Sequence, residues 1–277
     1  MRRSTRLLLI AVTVVAIAVG GGFGLKALWD SATSTLSDNH CTVNGYDLDP
    51  DQASVAATMA GAVTSFTPAL PERALVLVLA AGLQESKLRN LPPNAGDRDS
   101  VGVLQQRPSQ GWGGGDAAKL NDVGEATREF LVAMVKVPSW RTRPLAEVVQ
   151  AVQISADGSA YGPHEPEAQA LADALGGAKP AAITCTLVTP TKVATTARVA
   201  TLVSADLPIH PPTTTADSVH VRSARWQTAA WFIAYSYQLG IEQVSYDHKT
   251  WTRKHGWRAS SAPATEVVAT MYSKSAG

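Results

Sequence analysis

Residues 71–86, with the sequence PERALVLVLAAGLQES, constrain the fold more than any other segment of the chain. Pro71 suits the first turn of a helix, and residues 74–83 are apolar on every side of that helix. A helix without a polar face must be covered by other elements on all sides. We therefore predict that this helix is the buried centre of its domain, with Glu85 in its last turn.

The remainder of residues 47–185 is predicted to be mainly helical. Asp49 can cap a helix that begins at Pro50 and has apolar residues at helical spacing. The segment VGVLQQ, residues 101–106, is a candidate short strand or hairpin. Further helices are predicted around residues 116–136, 144–155 and 164–175. Residues 186–217 contain stretches rich in Ala, Pro and Thr, which predict a linker with a possible helix.

The sequence pattern changes beyond residue 218. SVHVR alternates as a strand does, and RWQTAAWFIAYSYQLG is typical of a helix that ends at Gly240. IEQVSYD and EVVATMYS are typical of further strands. These patterns predict a small α+β module over residues 218–277, in which Trp251 and Trp257 are candidates for an exposed sugar-binding face.

An apolar run without charges fills residues 7–25 and follows three arginines. A helix of that length spans about 28 Å, close to the hydrocarbon thickness of a bilayer. The arginines predict a cytoplasmic N-terminus and an extracytoplasmic bulk of the chain, as in a single-pass protein of the cell membrane. A cleaved signal peptide is the alternative. Residues 1–28 are thus predicted to be an anchor or signal peptide, and residues 29–46 a stalk.

The chain has two cysteines, Cys41 and Cys185. In an oxidising compartment such an isolated pair predicts a disulfide, and two unrelated buried thiols are the alternative. Neither cysteine has a second ligand at metal spacing, so no metal site is predicted, and no cofactor is predicted either. The formal net charge of +1 gives no support for nucleic-acid binding, which usually shows as a strong basic excess.

Glu85 is the residue that most directly suggests a chemistry. Burial against Leu79 and Leu83, together with the negative end of the helix dipole, favours a protonated carboxyl group. Cleavage of a glycosidic bond requires such a group, because the leaving oxygen must receive a proton. Taken alone, a glutamate in a last helical turn is more often a solvated end residue, so the neighbouring sequence has to decide between the two.

The sequence after this helix resembles the lytic transglycosylases and goose-type lysozymes. Those enzymes close a buried helix with a Glu-Ser pair and place a G-L-M-Q-type hairpin in the glycan groove. Glu85-Ser86 and the run GVLQ at residues 102–105 match in order and spacing. A closer similarity, over about residues 41–277, is to actinobacterial membrane-anchored proteins with a transglycosylase-like domain, in which QESKLRNL and DRDS-G--QQRPSQGWG occur almost as written.

This resemblance implies a mainly α lysozyme-like domain over residues 47–185, a small α+β C-terminal domain and an N-terminal transmembrane helix. It also implies a substrate, the glycan strands of peptidoglycan. Glu85 would protonate the glycosidic oxygen and then act as base while an intramolecular attack gives a 1,6-anhydro product. The side chains implied to contact the glycan are Ser86, Gln105, Gln106, Arg107, Trp112 and Tyr161. Strand alternation lets only one of the two glutamines face the groove, and the motif favours the first.

Two points leave the reaction open. Asp97 or Asp99 could be a second carboxylate, which would favour direct hydrolysis by an activated water, or both could belong to a solvated turn. The Asn-containing motif of standard transglycosylases is absent, and Pro92 and Pro93 are inserted beside the site. The leading hypothesis is therefore a peptidoglycan-cleaving enzyme, and the alternative is a non-catalytic protein that binds or scaffolds the cell wall.

Overall fold

The computed structural model describes residues 39–155, 158–222 and 225–273. Within these ranges no helix combines the length and the apolar character needed to cross a bilayer. The apolar run at residues 7–25, on which the predicted membrane anchor rests, lies outside the described residues. The prediction of a single-pass membrane protein rests on that run alone, and no helix of the described residues supports it.

The fold class is corrected, because the chain is not mainly α. Of the residues that the structure describes, 45% are helical and 18% are in strands, and the strands form two antiparallel sheets of three and six strands. The helices are α1 Pro50–Thr64, α2 Arg73–Ser86, α3 Ala117–Asn121, α4 Val123–Met134, α5 Leu145–Gln153, α6 Glu165–Leu175, α7 Thr196–Asp206, α8 Trp226–Ala234 and α9 Ser236–Leu239. Short 3₁₀ helices cover Pro108–Gln110, Trp112–Gly115 and Gly158–His164. The strands are β1 His40–Val43, β2 Tyr46–Leu48, β3 Ile183–Thr186, β4 Thr213–Thr214, β5 Ser218–Arg222, β6 Ile241–Tyr246, β7 Lys249–Thr252, β8 Gly256–Ala259 and β9 Glu266–Met271.

The smaller sheet has the order β2-β1-β3 and was not predicted. β1 lies in the predicted stalk, and its pairing partner β3 follows about 140 residues later in the chain. Cys41 and Cys185 are directly opposed in this register and form a disulfide, which confirms the predicted pair. The sheet escaped prediction because β1 and β3 have only four residues each, too few for their alternation to stand out, and each pairs with a distant partner.

Helix α2 lies at the centre of the helical part, as predicted. Its residues from Ala74 to Leu83 are all buried, and α1, α5 and α6 pack around it. The predicted start of α1 at Pro50 is also observed, and the backbone N–H of Asp49 donates to Gln52 Oε1 at 2.6 Å. Helix α2 needs other helices around it, because it has no polar face that could be exposed to water.

The larger sheet has the order β4-β5-β9-β6-β7-β8, with every pair antiparallel. The predicted strands SVHVR, IEQVSYD and EVVATMYS are β5, β6 and β9. The predicted helix before Gly240 is observed as α8 and α9, and it ends at that glycine with a φ of 71°. Trp251 is fully buried, so it cannot be part of an exposed face, while Trp257 is half-buried and donates to the Ile183 carbonyl oxygen.

Both sheets and the helices share one hydrophobic core. Helix α8 packs against α1 and α6 as well as against β6, so the C-terminal strands and the N-terminal helices are held by the same element. A Cβ on Gly61 would lie 2.5 Å from the Asp206 carbonyl oxygen, which shows how closely α7 approaches α1. Asn39–Gly277 accordingly forms a single compact unit.

Candidate functional site

The end of α2 presents Glu85 at the edge of the core. The helix ends at Lys87 with a φ of 54°, and Leu88 follows with a φ of 57°. The Leu88 side chain is fully buried beside Gly82, so the chain folds back over the helix as soon as it ends. Glu85 is left half-buried in the last turn, as the sequence predicts.

Tyr161 comes from the 3₁₀ helix Gly158–His164 and meets Glu85 directly. Its hydroxyl donates a hydrogen bond to Glu85 Oε1 at 2.6 Å, and only 1% of the tyrosine is exposed. Burial and the hydrogen bond to Glu85 raise the pKa of Tyr161, although a bond to Ser155 partly opposes them. The hydroxyl therefore keeps its proton and remains a donor to the carboxyl group of Glu85.

Residues 101–106 form a tight, hairpin-like turn next to this pair, which is the second of the two forms that the sequence predicts for the segment. Val101 pairs with Gln106 across the turn, and Gly102 pairs with Leu91. A Cβ on Gly102, whose φ is 78°, would lie 2.2 Å from the carbonyl oxygen of Leu120. Only glycine fits at this position, because the backbone conformation and the close approach both exclude a side chain.

Two side chains hold neighbouring carbonyl groups of this turn. Ser86 Oγ donates to the Val103 carbonyl oxygen at 2.8 Å, and Gln153 Nε2 donates to that of Leu104 at 2.8 Å. Val103 and Leu104 are fully buried. The ends of α2 and α5 are thus tied to one turn, which fixes its position relative to Glu85.

The two glutamines of the turn have different surroundings. Gln106 is only 2% exposed and its Nε2 donates to the Ala126 carbonyl oxygen at 3.3 Å, so it belongs to the interior. Gln105 is half-buried, and its Nε2 donates to the Gly102 carbonyl oxygen at 2.8 Å. Of the pair, Gln105 is the one nearer the surface, in agreement with the alternation that the sequence indicates. One of its two amide hydrogens is nevertheless used inside the turn.

Asp99 is held by residues of the following segment. Its carboxylate accepts from Arg107 Nε at 2.7 Å and from the backbone N–H of Ser109 at 2.8 Å. Hydrogen bonds from the Ser109 side chain and backbone, and then from Arg107, hold the pKa of Asp99 well below its usual range. Asp97 faces solvent with a side chain that is 88% exposed, and its only described ion pair is a 3.8 Å contact with Arg98. These surroundings fit the solvated turn, one of the two alternatives that the sequence leaves open for this segment.

Trp112 begins the 3₁₀ helix Trp112–Gly115. It is half-buried and packs against the core, so part of the indole is accessible. Arg107 is likewise half-buried. The structure therefore leaves a contact with a sugar open for both side chains, and their predicted role as binding residues stays a prediction.

Sequence reasoning missed the polar residues at the end of α5. Gln150 and Ser155 exchange two hydrogen bonds, and Gln153 holds the 101–106 turn. His164 Nε2 pairs with Gln84 Oε1 at 2.9 Å, next to the bond between Tyr161 and Glu85. A signal was present, because glutamines at positions 150 and 153 interrupt the apolar pattern of LAEVVQAVQ on one side of the helix.

Two cavities lie away from this site. One, of about 570 Å³, is lined by Thr64, His210, Arg225 and Gln227 among others, and a second, of about 520 Å³, by Glu242, Gln243, Arg253 and Lys254 among others. Within the ranges that the structure covers, no group of three or more His, Cys, Asp or Glu side chains is arranged to hold a metal ion.

No protein-family model and no curated protein sequence matches the chain. The resemblance to transglycosylases therefore rests on the motifs around Glu85, and the site is interpreted from its own geometry.

Proposed function

We propose that this protein cleaves the glycan strands of peptidoglycan, with Glu85 as the general acid and then the general base. The observation that carries the proposal is the hydrogen bond from the buried Tyr161 hydroxyl to Glu85 Oε1. A carboxyl group at the end of an apolar helix, held by a donor that keeps its own proton, has a fixed orientation. The substrate class comes from the similarity of the Glu-Ser and GVLQ motifs to those of transglycosylases.

In the proposed reaction the Glu85 carboxyl proton goes to the glycosidic oxygen between two amino sugars, and the bond from that oxygen to C1 breaks. The carboxylate that results then takes the proton of the C6 hydroxyl of the same sugar, whose oxygen bonds to C1. This closes a 1,6-anhydro ring. Tyr161 donates to Oε1 of the Glu85 carboxyl group throughout and keeps the group aimed at the reacting atoms.

A single catalytic carboxyl group suits the surroundings of the two aspartates. Asp99 is engaged by Arg107 and Ser109, and Asp97 is largely exposed to solvent. Direct hydrolysis with inversion needs a second carboxylate that activates water across the sugar, whereas the anhydro-forming route needs none. We therefore propose the anhydro-forming route.

A non-catalytic glycan-binding protein is the second candidate, and one observation favours it. Ser86 and Gln105 are both implied to contact the glycan, yet Ser86 donates its hydroxyl hydrogen, and Gln105 one of its two amide hydrogens, to a carbonyl oxygen within the fold. A surface whose polar groups are bonded to the protein's own backbone can retain affinity for sugars without turning them over.

The two candidates are separated by incubating the purified chain with purified sacculi and analysing the released muropeptides by mass spectrometry. We expect anhydro-ended muropeptides from the native protein. Glu85→Gln keeps the size of the side chain but lacks the transferable proton, and we expect the rate to fall by about 10² to 10⁴-fold. Tyr161→Phe removes only the hydroxyl, and we expect a loss of about tenfold or more.

Circular dichroism and thermal melting of each variant provide the control for folding. New reducing ends without anhydro ends would replace the anhydro-forming route by hydrolysis. If no cleavage occurs and Glu85→Gln pellets with sacculi as well as the native chain does, the non-catalytic candidate is correct.

A further inference from the structure

Ile154 has two unfavourable features at once. It follows α5 with a φ of 53°, in the left-handed region, and 84% of the residue is exposed. In the described part of the chain it is the one β-branched residue with a positive φ. Crowding at Cβ makes that conformation costly for an isoleucine, whereas glycine or asparagine adopts it readily at the end of a helix.

Leu88 shows how the free-energy cost of such a conformation is usually offset. It also has a positive φ, of 57°, but it is fully buried and packs beside Gly82. Burial of its apolar side chain offsets the backbone strain. Burial stabilises Ile154 very little, because most of its surface remains in water. Neither the local backbone nor the core therefore explains an isoleucine at this position.

The position of Ile154 relates it to the Glu85 site. It lies between Gln153, which holds the Leu104 carbonyl group, and Ser155, which is hydrogen-bonded to Gln150 and to Tyr161. Its own backbone N–H donates to the Gln150 carbonyl oxygen at 2.8 Å. The strained residue is thus fixed on both sides by the side chains that support the site.

We infer that Ile154 is a substrate-contacting residue of the Glu85 site, which packs against the apolar carbon face of a sugar ring or the acetamido methyl group of an N-acetylated amino sugar. The inference rests on the proposed function. Strained conformations persist where the surroundings fix them, and they concentrate at binding sites. The Ile154 side chain stays exposed when the protein folds. A bound glycan would cover it and remove its apolar surface from water.

The test uses two substitutions at this position in the full chain. Ile154→Asn relieves the backbone strain and removes the apolar surface, and Ile154→Leu keeps the apolar surface without the β-branch. For Ile154→Asn we expect KM for sacculi to rise about tenfold with kcat within about twofold of native and a Tm that is equal or higher. For Ile154→Leu we expect KM to stay within about twofold.

Ala181→Asn is the matched control, because Ala181 also has a positive φ, of 54°. It should leave KM unchanged. A native KM for Ile154→Asn overturns the inference and leaves Ile154 as a strained loop residue only.

A second measurement keeps the inference separate from the proposed reaction. In a Glu85→Gln chain, which is not expected to turn over substrate, pelleting with sacculi reports binding alone. Weaker pelleting on adding Ile154→Asn, but not Ile154→Leu, supports the contact even if the native chain shows no cleavage and the proposed reaction fails. Equal pelleting of all three chains overturns the contact whatever the native activity is.

Discussion

At the scale of single residues, two partly buried carboxyl groups differ in the groups that hold them. Glu85 accepts a hydrogen bond from Tyr161 at 2.6 Å. Asp206, at the end of α7, accepts from Trp231 Nε1 at 2.8 Å and from the Tyr235 hydroxyl at 3.4 Å. Glu85 lies at the end of the central helix and carries the proposed chemistry. Asp206 lies where α1, α7 and α8 meet and serves packing.

Burial raises the pKa of Asp206 above its ordinary value, against the opposing effect of the bonds from Trp231 and Tyr235. For an acid whose folded pKa is raised, the folded state binds the proton more tightly than the unfolded state does. The stability from this group is present below the unfolded pKa, about 3.9, and is lost as pH rises through the folded pKa. Asp206→Asn keeps an oxygen acceptor for both partners and never ionises.

We therefore expect Asp206→Asn to gain stability relative to the native chain as pH rises from 4 to 8. Urea unfolding at several pH values measures the difference. Asp217→Asn is the control, because the pKa of Asp217 is lowered, so its difference from the native chain should change little between pH 4 and 8. A difference between Asp206→Asn and the native chain that is the same at every pH contradicts the expectation.

At the scale of elements, the 101–106 turn depends on the ends of two helices. Its backbone carries Gln105 with a φ of 47°, and it makes only isolated pairings with its neighbours. Ser86 from α2 and Gln153 from α5 supply the hydrogen bonds that a regular sheet would otherwise provide. The position of the turn beside Glu85 therefore depends on how α2 and α5 lie relative to each other.

Removal of either donor leaves a buried carbonyl group without its partner. Ser86→Ala and Gln153→Met are each expected to lower the free energy of unfolding by about 1–3 kcal/mol. Because both act on one turn, the double variant should depart from additivity by about 0.5 kcal/mol or more. Urea denaturation of the native chain, the two single variants and the double variant measures the coupling free energy between the two positions.

Thr201→Ala is the control for this cycle, because the Thr201 hydroxyl also donates to a backbone carbonyl group, but on the exposed side of α7. It should cost less than about 0.5 kcal/mol. Strict additivity of the Ser86 and Gln153 substitutions would show that the two helix ends hold the turn independently.

At the scale of the whole molecule, the smaller sheet connects the two ends of the helical part. The Cys41–Cys185 disulfide joins β1 to β3 across a sequence separation of 144 residues. Trp251 and Trp257 then donate to Thr184 and Ile183 of β3, so the larger sheet is attached to the same strand. One strand thus connects the disulfide, the helices and the larger sheet.

Reduction of the disulfide should therefore destabilise the entire unit rather than one part of it. For a closed loop of this length the chain-entropy model gives about 5 kcal/mol, an upper-end figure. Urea unfolding with and without dithiothreitol, followed by both tryptophan fluorescence and far-ultraviolet circular dichroism, measures the loss. The double variant of Cys41→Ala and Cys185→Ala should not respond to the reductant. An unchanged midpoint for the native chain, or a transition in one probe alone, contradicts the prediction.

The local sequence was sufficient for elements whose stability comes from their own pattern. It predicted α2 as a buried helix, the end of α9 at Gly240, three strands of the larger sheet and the Cys41–Cys185 pair. Helical periodicity, glycine at a helix end and the count of cysteines are properties of neighbouring residues or of composition, so no knowledge of distant contacts is needed. The same reasoning placed Glu85 in the last turn of the central helix.

Only the tertiary structure decided the features that join distant residues. Tyr161 meets Glu85 from 76 residues away, and Gln153 reaches the Leu104 carbonyl group from 49 residues away. The pairing of β1 with β3 and the resulting departure from a mainly α fold have the same origin. A hydrogen bond between remote residues leaves no periodic trace in either segment, because its free energy depends on where the packed core brings the two together.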